Sequence, residues 1–91
     1  MAEPVHFEIY TVAWCRPCQD LKAVQGQLEQ PVTWVDVTED IDIAVKRSIR
    51  RYPTTIARRG DVEIARIITA KPSFINAFFR DHATLLLSED F

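Results

Sequence analysis

The sequence predicts an α/β fold in which one four-stranded mixed sheet is flanked by three helices. The chain has 91 residues, 47% hydrophobic and 26% charged, a composition that suits one small globular domain over residues 1–91. Apolar residues alternate along some segments and recur at helical spacing along others, in the order β-α-β-α-β-β-α. Only a short turn signal separates the last two strands, which predicts that they pair antiparallel.

The first half of the chain predicts two parallel strands joined by a helix. Residues 5–10 and 32–37 are rich in β-branched and aromatic residues, as strands are. Pro17 suits the first turn of the intervening helix, which begins at the cysteines, and Pro31 ends it. Its apolar residues recur at helical spacing: Leu21, Val24 and Leu28. Strands joined through a helix pair in parallel with a right-handed crossover.

A second helix is predicted after residue 38. Thr38 is expected to be its N-cap. Acidic residues follow at once and basic residues come later, an order that complements the helix dipole. The basic residues are Lys46, Arg47, Arg50 and Arg51. The expected buried stripe consists of Ile41, Val45 and Ile49.

The last third of the chain predicts a hairpin and a helix. Residues 54–58 and 62–68 are predicted as strands, and the "RGD" at 59–61 as the turn between them. Pro72 is expected to start the third helix, and the final "SEDF" to be frayed. The inner face of this helix is expected to carry Ile75, Phe78, Phe79, His82 and Leu86.

The stretch "WCRPC" at residues 14–18 contains both cysteines of the chain. A cysteine at a helix N-terminus lies where free N–H groups favour negative charge, which lowers a thiol pKa below its usual value of about 8.5. Arg16 adds positive potential beside Cys15. Cys18 is expected one turn later, more buried, and within reach of Cys15. A CxxC at a strand-to-helix junction favours a working dithiol, in which Cys15 attacks a disulfide and Cys18 resolves the product.

Two other interpretations of the cysteines are open. In the first interpretation the cysteines are buried, inert thiols. In the second they are metal ligands. His6 and His82 are the remaining candidate ligands, and neither has zinc-finger spacing. We expect His6 at a strand surface and His82 at the edge of the core. No metal and no bound cofactor are therefore expected, although a cluster shared between two chains stays open.

On these residues the chain resembles the thioredoxin superfamily over residues 5–87. The resemblance rests on "WCRPC", "RRYPTT" and "RRGDVEIARI". It implies a thioredoxin-like fold and an enzyme that reduces protein disulfides, with Cys15 as the nucleophile and Cys18 as the resolving cysteine. Such proteins carry a cis-proline that faces the dithiol, and Pro53 matches its position. The expected substrate-binding residues are Trp14, Arg16, Pro17, Tyr52, Pro53 and Thr54.

The sequence differs from the typical motifs of both thioredoxins and glutaredoxins, and these differences indicate which branch of the superfamily it resembles more. "IYTVAWCRPC" begins like a glutaredoxin, whereas Trp-Cys-x-Pro-Cys is similar to thioredoxin. Thioredoxins place a buried carboxylate six residues before the first cysteine, where this chain has Ile9. Glutaredoxins bind glutathione with a Gly-rich, Asp-containing turn, where this chain reads "ITAKPS". We therefore expect a small thioredoxin-like reductant recharged by a thioredoxin reductase, with a glutathione-dependent glutaredoxin as the alternative.

Partners and location are expectations from composition and resemblance. Compact redoxins of phages, archaea and some bacteria often serve ribonucleotide reductase, so the resemblance implies that enzyme as an electron acceptor. The net charge of −2 gives no bias toward nucleic acid. The sequence shows no signal-peptide pattern and no membrane-spanning apolar run, so a cytoplasmic location is expected. A monomer is expected, because nothing in the sequence requires a second copy. A non-catalytic binding module with the same fold is a further alternative.

Basic residues crowd the segment before Pro53. Arg50 and Arg51 precede "YP", so the resemblance places them near the mouth of the site. They either attract an acidic partner or glutathione, or only form the cationic end of the second helix. Arg58 and Arg59 adjoin the hairpin turn, where solvated charge is expected.

Overall fold

A four-stranded mixed sheet forms the centre of the structure, as the sequence predicts. The computed structural model describes the backbone of residues 4–88 and the side chains of residues 4–82. The strand order in the sheet is β2-β1-β3-β4. The elements are β1 (Val5–Thr11), α1 (Arg16–Ala23), β2 (Val32–Asp36), α2 (Ile41–Lys46), β3 (Thr54–Arg59), β4 (Val62–Ile68) and α3 (Pro72–Ser88). The predicted element order is therefore confirmed.

The pairing of the strands brings the cysteine loop to the start of β3. Strand β1 runs parallel to β2 and antiparallel to β3, and β4 is antiparallel to β3. In this register Tyr10 lies opposite Thr54. The residues that follow β1 therefore meet the residues that precede β3 at one edge of the sheet.

The two faces of the sheet bury different sets of residues. Along β1 the side chains alternate, so Phe7 and Ile9 face one layer and Tyr10 faces the other. The first layer packs against α1 and α3 through Leu21, Ile75, Phe78 and Phe79. The second layer packs against α2 and includes both cysteines: Tyr10, Val12, Cys15, Cys18, Val37, Ala44, Ile49 and Ile56. The dithiol is thus anchored in a hydrophobic core.

Replacing Phe79 with alanine is expected to lower the free energy of unfolding by about 3–5 kcal/mol. Phe79 is 1% exposed, and its ring centroid lies 4.5 Å from that of Phe7. Urea denaturation followed by circular dichroism measures the loss. Phe74→Ala is the matched control, because Phe74 lies on the same helix and is 53% exposed. We expect Phe74→Ala to lower the free energy of unfolding by less than about 1 kcal/mol. Equal losses of stability in the two variants would contradict the packing described.

Helix α1 is shorter than the sequence predicts. It ends at Ala23, and a single 3₁₀ turn follows at Gln25–Gln27. Leu28 still packs against the core, but from an extended backbone. The buried Asn76 of α3 stabilises this irregular segment: its side chain accepts from the Glu29 N–H at 2.9 Å and donates to the Gln27 carbonyl at 3.0 Å.

Helix α2 differs most from the prediction. Its N-cap is Asp40 rather than Thr38, and it ends at Lys46, so Arg50 and Arg51 lie beyond the helix. Ile41 and Val45 are exposed, so these two positions of the predicted buried stripe are wrong, whereas Ile49 is buried as predicted. Ile43 and Ala44 take the place of Ile41 and Val45 and pack with Ile49 in the core.

The end of α2 is a Schellman motif built on a serine. Ser48 has a φ of 55°, in the left-handed region that glycine usually occupies. The Ile49 N–H donates to the Ala44 carbonyl at 2.8 Å, and the Ser48 N–H donates to the Val45 carbonyl at 3.1 Å. Ile49 and Ala44 also pack in the same cluster, which completes the hydrophobic contact of the motif.

Helix α3 begins at Pro72, as predicted. Its inner face carries Ile75, Phe78 and Phe79, while His82 is half-buried against the Phe78 ring. The Leu86 side chain and the last three residues of "SEDF" lie outside the described residues. Within residues 4–88, none of the helices combines the length and apolarity needed to cross a bilayer.

Candidate active site

The two cysteines form a disulfide at the start of α1. Cys15 is the N-cap residue, and its Sγ accepts a hydrogen bond from the Cys18 N–H at 3.2 Å. The Cα atoms are 5.3 Å apart, within the usual range for a disulfide. Cys15 is 9% exposed and Cys18 is 3% exposed, so the first cysteine is the more accessible of the two. Pro17 lies exposed in the first turn between them.

A cis-proline faces the disulfide. The Tyr52–Pro53 bond is cis, as the resemblance implies, and the Tyr52 carbonyl oxygen lies 3.5 Å from Cys15 Sγ. Thr54 is buried, and its hydroxyl donates to the Arg51 carbonyl at 2.6 Å, which fixes the loop that contains Tyr52 and Pro53. The segment before β3 therefore presents its backbone to the sulfur of Cys15.

The other predicted binding residues surround the disulfide. Trp14 is 71% exposed, which leaves a large apolar surface beside Cys15. Arg16 is exposed, and its Nε donates to Asp20 Oδ1 at 3.1 Å. Because Asp20 offsets this charge, Arg16 contributes less positive potential at Cys15 than the sequence suggests. Tyr52 is half-buried against the cluster that contains the cysteines.

Thr38 anchors the cysteine loop to the end of β2. Its hydroxyl oxygen accepts from the Ala13 N–H at 2.8 Å, and the hydroxyl donates to Asp36. The Thr38 N–H also donates to Asp36 Oδ1, at 2.8 Å. The hydrogen bonds from Thr38, the hydroxyl first and the backbone second, hold the pKa of the Asp36 carboxyl below its usual value. The sequence assigned Thr38 to a helix cap, so this link was missed.

A cavity of about 290 Å³ adjoins Cys18. Gln19, Lys22 and Asp36 line it and are exposed, so it opens to solvent. Ile9, at the position of the thioredoxin carboxylate, is fully buried. Cys18 lines this cavity together with two charged side chains, Lys22 and Asp36.

The histidines lie where the sequence places them. His6 is exposed on β1, with Nε2 3.8 Å from Glu8 Oε2, and the His82 ring packs at a tilt against the Phe78 ring, with centroids 4.5 Å apart. In the described part of the chain, no group of three His, Cys, Asp or Glu side chains is arranged to hold a metal ion.

Comparisons with known proteins agree with this geometry. No family model matches the chain. Thioredoxin-2 of Saccharomyces cerevisiae is 28% identical over 71 residues, which cover 72% of this chain and 68% of the yeast protein. The crystal structure of Malassezia sympodialis thioredoxin (Mala s 13) is 27% identical, with a TM-score of 0.77 over 90% of this chain and 77% of that chain. The thioredoxin Deadhead of Drosophila melanogaster has the same fold at 16% identity, with a TM-score of 0.75 over 87% of this chain and 81% of that one.

The chain belongs to the thioredoxin superfamily. The thioredoxin fold and the CxxC disulfide together support a dithiol–disulfide oxidoreductase, whose redox group is the Cys15–Cys18 pair. As in the sequence-based prediction, the disulfide and the cis-proline are brought together. Thr54 is buried at the start of β3, and its hydroxyl bonds to the Arg51 carbonyl in the loop that carries the cis-proline.

Proposed function

We propose that this protein reduces disulfides in protein substrates through Cys15 and Cys18. The observation that carries the proposal is the position of Cys15. It caps the N-terminus of α1, is the more exposed cysteine, and lies 3.5 Å from the carbonyl oxygen of Tyr52. Free N–H groups at a helix start favour a thiolate, which is the form that attacks disulfides.

The reaction takes place in two exchanges. The Cys15 thiolate attacks one sulfur of the substrate disulfide, forms a mixed disulfide, and releases the other substrate sulfur as a thiolate. Cys18 loses its proton to water in the adjoining cavity and attacks Cys15 Sγ. The mixed disulfide breaks, the Cys15–Cys18 disulfide forms, and the second substrate thiolate leaves. Two electrons pass to the substrate, so a donor must return two electrons in each cycle.

We propose a thioredoxin reductase as that donor, rather than glutathione. The segment after β4, which in glutaredoxins contacts glutathione, has no glycine and no aspartate here. Lys71 and Thr69 fold this segment on itself, through a hydrogen bond from the Lys71 N–H to the Thr69 hydroxyl at 3.2 Å. Yeast and fungal thioredoxins among the similar proteins support the same assignment.

Ribonucleotide reductase is the protein substrate that we propose to test first, by analogy with compact redoxins. A cytoplasmic location and a monomeric state complete the proposal. The location follows from the reducing role, because the cytosol keeps dithiols reduced.

The reduction potential of the Cys15–Cys18 pair tests the proposal. Equilibration in glutathione and dithiothreitol buffers, with alkylation and mass spectrometry as readout, gives the value. A potential near or below about −230 mV is expected of a cytosolic reductant. A value above about −180 mV would indicate an oxidant or isomerase and would contradict the proposed direction. Turnover with thioredoxin reductase or with glutathione then identifies the donor.

A further inference from the structure

Most arginines in the described part of the chain make an ion pair with a carboxylate. The pairs are Arg16 with Asp20, Arg47 and Arg58 with Glu8, Arg66 with Glu63, and Arg80 with Glu29. Arg59 also has an interaction partner. Arg50 and Arg51 differ, because both are exposed and neither guanidinium has a hydrogen bond or ion pair within residues 4–82.

These two arginines immediately precede the Tyr52–Pro53 pair that faces the disulfide. Arg51 directly precedes Tyr52, whose carbonyl oxygen is 3.5 Å from Cys15 Sγ. The backbone at Arg51 is fixed, since its carbonyl accepts from the Thr54 hydroxyl at 2.6 Å. Neither arginine belongs to α2, which ends at Lys46, so the helix dipole does not account for their charge.

The opposite side of the cysteine loop is acidic. Thr38 joins Ala13 to the loop between β2 and α2, in which Asp36, Glu39 and Asp40 are exposed. These three carboxylates line a cavity of about 350 Å³ with Ala13. Cys15 therefore lies between an acidic loop on one side and two unpaired arginines on the other.

We propose that the preferred protein substrates carry acidic residues on one flank of the cysteine that Cys15 attacks, and that these residues pair with Arg50 and Arg51. The inference rests on the proposed function and names its substrate class. Charge complementarity of this kind speeds encounter and fixes the orientation of the bound segment. Acidic residues on the other flank meet the loop of Asp36, Glu39 and Asp40, which repels them.

Three synthetic peptides test the inference. Each carries one cysteine joined by a disulfide to an uncharged thiopyridyl group, with Glu-Glu before the cysteine, Glu-Glu after it, or Gln-Gln on both sides. The reduced full-length protein is mixed with each peptide at low ionic strength, and absorbance of the released thiopyridone gives the rate. The readout is the rate with each Glu peptide divided by the rate with the Gln peptide. This ratio of rates does not depend on the active fraction of the protein.

One Glu peptide is expected to react about threefold to tenfold faster than the Gln peptide. This ratio should fall to about one in Arg50→Gln/Arg51→Gln, and also in about 1 M salt, where the screening length is about 3 Å. Lys46→Gln is the control for lost positive charge. Lys46 lines a separate cavity with Arg58, whose backbone lies opposite His6 in the strand register, at the end of β1 away from the cysteines. The ratio should be unchanged in Lys46→Gln.

The possible results distinguish a failure of the inference from a failure of the proposed function. Equal rates for all three peptides overturn the inference and leave the proposed function standing. Acceleration that survives in Arg50→Gln/Arg51→Gln overturns the assignment to these arginines, and equal acceleration from both flanks overturns the one-sided orientation. Failure to react with any of the peptides overturns the proposed function itself.

Discussion

Cys15→Ser is expected to abolish disulfide reduction, down to the rate seen without protein. A serine hydroxyl forms no disulfide, so the first exchange has no nucleophile. The fold should survive, because serine is among the preferred N-cap residues and can accept the Cys18 N–H bond that Cys15 Sγ accepts now. Reduction of insulin disulfides in the presence of an electron donor measures the activity, and circular dichroism measures the fold.

This variant separates an electron carrier from a binding module with the same fold. A partner that only docks on the surface around Trp14 should still bind Cys15→Ser. The activity that we propose should be lost completely. Substantial reduction of insulin by a folded Cys15→Ser protein would contradict the role of Cys15 as nucleophile.

The position of the dithiol was predictable because its signals are local. Cys15 and Cys18 adjoin the end of an alternating strand, and Pro17 favours a helix start, so the sequence alone places the thiols at a helix N-terminus. The cis bond before Pro53 came from the resemblance instead. The register of β1 and β3, which brings that bond to Cys15, is a long-range pairing that no local pattern specifies.

The boundaries of α2 were not predictable, for two physical reasons. Ser48 adopts the left-handed backbone conformation that ends the helix. Glycine is the residue that usually indicates such a helix end in a sequence, and serine does not indicate it. The helix spans only Ile41–Lys46, too short for apolar spacing to define one face, so Ile41 and Val45 were wrongly expected to be buried.

Long-range side-chain bonds explain the remaining differences. Thr38 has the chemistry of an N-cap, but its hydroxyl bonds to Ala13, 25 residues earlier in the chain. Asn76 similarly bonds to Gln27 and Glu29, on a segment 47 to 49 residues earlier. The sequence also does not distinguish Arg50 and Arg51 from the other arginines. Only the structure shows that the other described arginines have partners and that these two do not.

Cys18→Ser is expected to stop the reaction at the mixed disulfide. In the wild-type protein the two sulfurs are already bonded, with their Cα atoms 5.3 Å apart, so the second exchange needs no large movement of the backbone. With serine at position 18, Cys15 still attacks but nothing displaces the substrate. One equivalent of thiopyridone should be released from a peptide disulfide, and mass spectrometry without reductant should find the protein joined to the peptide at Cys15.

The reciprocal variant makes this result specific. Cys15→Ser retains Cys18, which is the more buried cysteine and lies behind the exposed end of the loop. It should therefore trap little or no peptide under the same conditions. In reduced wild-type protein, iodoacetamide should likewise modify Cys15 below pH 8.5, where an ordinary thiol is mostly protonated. Equal trapping by both variants would mean that either sulfur reaches substrate, and the division of roles between Cys15 and Cys18 would be wrong.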